Sequence, residues 1–204
     1  MYLIRYMRLE RALDTILGSA TKLGLLRTLY RSPDRRWTGR ELARSAGVST
    51  AQSARDLGEL ADTSLVLREV MGRSYSWQLN RSHVLFEALG DLFVREANLR
   101  SDLLRDVSEA IPPARPERVR LFGSVARGEG RDDSDVDLFL QVPGSAERGP
   151  AEEAVHRIRT RIWHRFGNPV SALVYTRAEV ERPKNPSLLD SIEQEGVDIP
   201  VESG

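Results

Sequence analysis

Along the first eighty residues the apolar positions recur at helical spacing in several separate stretches. Ala12, Leu13, Ile16 and Leu17 form a stripe that ends near Gly18, and Leu23, Leu25, Leu26 and Leu29 form another that ends near Ser32-Pro33. Thr38 precedes the segment Gly39 to Ala46 with Glu41 three positions on, a capping-box pattern that opens a short helix. Gly47 closes that helix, and Ser49 caps the next, Thr50 to about Asp62, whose positions Ala54, Leu57 and Leu60 keep the helical period. Two short helices about a three-residue turn containing glycine carry a helix-turn-helix signature. Leu65 to Val70 and Ser74 to Leu79 are strand-like runs around Met71-Gly72-Arg73, which predicts a hairpin.

From Ser82 to Ile111 apolar residues again follow the helical period, among them Leu85, Leu89, Phe93, Leu99, Leu103 and Val107, and no proline interrupts them. The spacing predicts one helix, or two in line, about 45 Å long if continuous. Its apolar stripe exceeds what a linker needs, so it either pairs with a second copy as a homodimer or packs on its own chain. Pro112-Pro113 and Pro116 stop it. The pattern then changes: Arg118 to Phe122 alternates, Val136 to Val142 is an apolar run, and Pro169 to Thr176 is a further strand. Ala151 to Phe166 and Ser187 to Glu195 read as helices. On the former, Trp163 is expected in the core and His156 and His164 on a solvated face.

Composition sets outer limits. A chain of 204 residues, 40% of them apolar, has material for one large core or two small ones. Without cysteine it has neither a disulfide framework nor a thiolate metal site. No apolar run approaches the roughly 20 residues that span a bilayer, so no membrane partner is expected. Met1 to Arg11 is amphipathic without the cleavage pattern of a signal peptide, and a cytoplasmic location is the simplest expectation. Thirty basic residues balance thirty acidic ones, so net charge gives no hint of nucleic acid. Only Lys22 and Lys184 are lysines, a bias that genome composition explains as readily as function does.

The densest chemistry lies between residues 123 and 140. Asp135 and Asp137 flank Val136 at the start of a strand, and alternate strand side chains share a face. Two carboxylates so placed repel, and one is driven toward its protonated form unless a hard, oxygen-liganded cation such as Mg²⁺ lies between them. Upstream, Gly123-Ser124 stands where the chain leaves a strand, and exposed amides with the Ser124 hydroxyl suit phosphate oxygens. Arg127 either contacts phosphate or braces the turn through a salt bridge, and Ser134 either touches phosphate or caps the turn. Asp132 and Asp133 read as turn residues.

This segment, Gly-Ser, an Ala-Arg-Gly step, a polar turn and Ser-Asp-x-Asp before apolar residues, resembles the signature of the DNA polymerase beta nucleotidyltransferase superfamily in its minimal form. The resemblance covers roughly residues 117 to 204. It implies that Gly123 and Ser124 hold a nucleoside triphosphate (NTP), and that Asp135 and Asp137 bind the divalent metals and are catalytic. It further implies transfer of a nucleotidyl group to a hydroxyl acceptor. Such transferases often act in toxin-antitoxin pairs, which makes a toxin partner or a protein acceptor conceivable. The family usually carries a third carboxylate on the strand after the helix, whereas Val170 to Tyr175 contains no acid. Ser171 is the expected occupant, and a serine cannot supply that negative charge.

Helix, helix, hairpin in that order resembles the winged helix-turn-helix domains of bacterial and archaeal transcriptional regulators. The resemblance implies DNA as a partner, with the second helix in the major groove and the hairpin as the wing. Ser49, Thr50, Gln52, Ser53 and Arg55 would then meet base edges or phosphates, and Arg40, Arg44, Arg68 and Arg73 the backbone. Winged helices also mediate protein contacts, and Asp56 and Glu59 balance the single arginine of this helix.

The expected architecture is a two-domain protein of the α/β and α+β classes. Residues 1–81 form a winged helix-turn-helix, 82–116 a long helical connector with a proline linker, and 117–204 a small mixed-sheet nucleotidyltransferase fold. An alternative function is a DNA-binding regulator whose transferase domain is a nucleotide sensor or is inactive.

Overall fold

The structure, a computed structural model, describes residues 12–131 and 134–201. The amphipathic start and the Asp132-Asp133 turn lie outside the described residues. The chain divides into two compact units, Met1–Ala97 and Asn98–Gly204.

The first unit begins with helices α1 (Ala12–Ile16) and α2 (Ala20–Arg31), followed by strand β1 (Trp37–Thr38), helices α3 (Gly39–Ser45) and α4 (Thr50–Asp62), and strands β2 (Val66–Met71) and β3 (Ser74–Leu79). Local chemistry explains the helix starts. Ser19 accepts from the Lys22 amide, Ser49 from the Gln52 amide, and Thr38 and Glu41 form a reciprocal capping box. The helices are then tied together by buried polar groups. Ser19 Oγ donates to Asp56 on α4 at 2.9 Å, and the buried Lys22 reaches Glu59 at 2.6 Å and the Thr15 carbonyl at 2.7 Å.

Leu25, Leu26, Leu29, Leu42 and Leu60 are wholly buried in this unit's core. Each contributes about 1.5–3 kcal/mol by leaving water. β3 pairs antiparallel with β2 and with β1, giving the strand order β1-β3-β2 with Trp37 opposite Trp77. The hairpin turns at Gly72, whose φ of 61° suits a residue without a Cβ. β1 was not expected, because two residues are too few to show a period.

Helix α5 (Phe86–Ala110) spans 25 residues, about 37 Å. It starts four residues later than the pattern predicts because Asn80 holds the preceding segment in turns: its side chain accepts from the Ser82 amide and its carbonyl from the His83 amide. Phe86, Leu89 and Phe93 join the core of the first unit, while Leu103, Val107 and Ala110 join that of the second. Leu92 and Leu99, from the same apolar pattern, are exposed.

The second unit continues with β4 (Arg118–Phe122), α6 (Gly123–Arg127), β5 (Val136–Val142), a 3-10 turn (Ser145–Glu147), α7 (Arg148–Phe166), β6 (Val170–Thr176), α8 (Arg177–Glu181), α9 (Pro186–Glu195) and β7 (Val197–Asp198). Its sheet has the order β6-β5-β4-β7, with β5 and β6 parallel and the other pairs antiparallel. This is the expected small mixed sheet.

The period of two in β5 decides what each face carries. Val136, Leu138 and Leu140 pack with α7 and the end of α5, while Phe139 faces Leu189 and Ile192 of α9. Trp163 is not in the core: its side chain is 58% exposed. The inward stripe of α7 runs Ala151, Ala154, Val155, Ile158, Ile162, and the next position turns about 100° away from it. His156 and His164 are exposed, as expected. Among the described residues no helix is long and apolar enough to cross a membrane.

Candidate active site

β4 and β5 are antiparallel neighbours, and their register sets Phe122 opposite Asp137. The chain leaves β4 at Gly123 and turns at once into α6, so the glycine lies against the Asp137 side chain. A Cβ at position 123 would overlap Asp137 Oδ2, and the φ of 74° is itself in the left-handed region. The sequence motif thus has a steric reason: only glycine admits both the turn and the carboxylate. No side chain caps the N-terminus of α6, so the amides beside Ser124 are left to other acceptors.

Asp135 and Asp137 share the face of the sheet that carries Phe139. Asp137 is partly buried, and burial first, then the charge of Asp135, pushes its carboxyl above the ordinary carboxylate value. Two carboxylates in this relation form an all-oxygen donor set that suits a hard divalent cation and is relieved by one. β6 runs beside β5 with Ser171 in register with Asp137. The Ser171 hydroxyl donates to Asp135 Oδ2 at 3.0 Å. Ser171 is therefore the neighbour of the pair that the family pattern would fill with an acid. Among the described residues no group of three or more His, Cys, Asp or Glu is placed to hold a metal.

The remaining predicted residues brace the site. Arg127 is held by Glu129 at 2.8 Å and by Glu195 at 2.7 Å, which raises its pKa through those two bonds. Ser134 Oγ accepts from the Arg131 amide at 2.8 Å, closing the turn before Asp135. Asn168, which sequence reasoning missed, donates to the Ser134 carbonyl at 3.1 Å and ties that turn to the start of β6. Arg120 was missed as well. It is buried on β4 and donates to the carbonyls of Ile192 at 2.9 Å and Gly196 at 2.6 Å, with Asp198 2.9 Å away. It thereby fixes the C-terminal end of α9 over Phe139.

In the first unit, α4 presents Thr50 and Arg55 to solvent, and Arg40, Arg44, Arg68 and Arg73 are also exposed. Gln52 bridges Arg55 at 2.6 Å and Asp56 at 2.8 Å, and Ser49 is engaged as the N-cap. Arg68 stacks its guanidinium 4.9 Å from the Tyr75 ring centroid. Ser53 departs from the expected exposed face: it is buried with Asp56, Leu57 and Leu60 on the inward stripe of α4. Its hydroxyl does not share the surface of Thr50 and Arg55.

Residues 100–199, just under half of the chain, match the family model described as a nucleotidyltransferase domain. The site above lies within those residues. Among solved structures, a crystal structure of a toxin-antitoxin with AMP-PNP is 13% identical, with a TM-score of 0.34 over 49% of this chain and 74% of that one. A provisionally assigned nucleotidyltransferase from Sulfolobus solfataricus is 22% identical, with a TM-score of 0.31 over 48% of this chain and 80% of that one. The archaeal chromatin protein TrmBL2 is 15% identical, with a TM-score of 0.25 over 82% of this chain and 70% of that one. Comparison with curated proteins gives no match.

Proposed function

We propose that the second unit transfers a nucleotidyl group from an NTP to a hydroxyl acceptor, and that the first is a winged helix-turn-helix module that binds DNA. The observation that carries the transferase reading is the packing of Gly123 against Asp137 beside Asp135, because it joins a phosphate-sized turn to a cation-binding pair. In this reading the amides and hydroxyl at Gly123-Ser124 hold the triphosphate, and Asp135 and Asp137 hold Mg²⁺. When bound, that cation neutralises charge on the phosphates.

The chain's residues orient the α-phosphorus for in-line attack. The acceptor oxygen bonds to that phosphorus, the bond from phosphorus to the oxygen bridging the β-phosphate breaks, and pyrophosphate leaves with the electron pair. The acceptor's proton passes to solvent, since no acid stands at position 171. Asp137→Asn is expected to abolish nucleotidyl transfer while leaving the fold intact. Unchanged transfer of radiolabelled nucleotide by the variant would refute the assignment.

A second reading rests on Ser171: a DNA-binding regulator whose transferase domain senses nucleotide without turning it over. The exposed Thr50, Arg55, Arg40 and Arg73 support DNA contact in both readings. Affinity would fall steeply as salt rises, in proportion to the phosphates neutralised. In the sensor reading, DNA titrations with and without NTP and Mg²⁺ separate. Curves that overlay exclude the sensor, and an absence of salt-dependent binding to any duplex excludes the DNA module.

A further inference from the structure

Position 171 decides how many cations the acidic pair can hold. Ser171 lies in register with Asp137 on the parallel neighbour strand, and its hydroxyl donates to Asp135 Oδ2 at 3.0 Å. The hydroxyl thus occupies an Asp135 oxygen on the β6 side, where a second cation would need to share it. Among the described residues, the two acids beside Arg127 are engaged elsewhere. Glu195 and Glu129 hold Arg127. Neither is free to serve as a third ligand.

Two hard cations about 3.5–4 Å apart, as in two-metal sites, need bridging carboxylates to offset their mutual repulsion. A neutral donor at position 171 adds nothing to that offset, and it draws electron density from the oxygen that it bonds. One cation, shared by Asp135, Asp137 and the triphosphate and keeping its remaining ligands as water, is what the donor set supports.

We infer that this site takes one divalent cation per nucleotide, and that Ser171 is a positioning residue that holds Asp135 for it. The inference rests on the nucleotide-binding reading above. It adds that the count is set at a single position: Ser171→Asp supplies the missing carboxylate and admits a second cation.

The test uses the full chain with Mn²⁺ and a non-hydrolysable ATP analogue. Bound Mn²⁺ is counted per bound nucleotide by the electron paramagnetic resonance signal of the free ion. The expected counts are one for the natural chain and two for Ser171→Asp. Ser171→Ala keeps a count of one but binds it about tenfold more weakly, the scale of losing a partner that orients a metal ligand. Ser171→Thr, which retains the hydroxyl, restores the affinity. Because Ser171 is exposed, these variants are expected to keep the fold, which circular dichroism checks. A count of two in the natural chain, or of one in Ser171→Asp, overturns the inference while leaving nucleotide binding in place. Failure of the natural chain to bind the analogue at all overturns both.

Discussion

At the scale of single residues, the pairing of Gly123 with Asp137 shows how a short motif encodes geometry. The carboxylate needs the space that a Cβ would fill, and the turn needs a positive φ. Gly123→Ala is therefore expected to cost about 1–2 kcal/mol from the left-handed backbone alone. Displacement of Asp137 adds to this, and affinity for nucleotide drops with it. Urea unfolding and nucleotide titration of the variant measure the two effects, and an unchanged midpoint together with unchanged affinity would contradict the packing described. That Asp135 and Asp137 share one face was legible, because alternate strand positions do. Arg120 was not. Between Val119 and Leu121 it reads as the outward position of an alternating strand, yet α9 covers that face and brings carbonyl groups that require a donor. Ser53 was misread for the converse reason: a small polar residue on a helix says little about which way it points.

At the scale of elements, helix starts were legible because a cap is a local device. Thr38 and Ser49 each bond within three residues, as does Ser19, whose cap the pattern did not point to. Elements held by pairing alone were not, and β1 and β7, of two residues each, exist because a neighbouring strand accepts them. Trp163 illustrates another limit, since size and hydrophobicity suggest burial but the helical stripe decides it. The attachment of α9 to β4 carries a pH signature. The bond from Arg118 holds the Glu193 carboxyl below its ordinary value of 4.5. A lowered carboxyl pKa contributes stability above the unfolded value and loses it as pH falls through the folded one. Glu193→Gln should therefore lower the thermal midpoint at pH 7, and its gap from the natural chain should close as pH falls below about 4.5. A gap that persists at acid pH would show that the carboxylate charge is not what matters. The effect is small because both side chains reach solvent.

At the scale of the whole molecule, the chain joins a unit that matches a nucleotidyltransferase domain model over residues 100–199 to a helical unit with a three-stranded sheet. The change from helical period to strand period near the prolines at 112, 113 and 116 made the existence of two units legible. The boundary was harder to see, because it falls within one helix, between Ala97 and Asn98, where the apolar period continues without a break. Net charge was uninformative, since arginines are spent on internal pairs with Glu and Asp throughout both units. In the proposed function, Gly123, Ser124, Asp135 and Asp137 make one metal-dependent nucleotide site. Calorimetric titration of the full chain with a non-hydrolysable ATP or GTP analogue, with and without Mg²⁺, tests it most directly when repeated on the double variant Asp135→Asn/Asp137→Asn. Binding is expected to require Mg²⁺ and to be lost in the double variant; binding that survives in the variant, or no binding of either nucleotide by the natural chain, would rule out such a site.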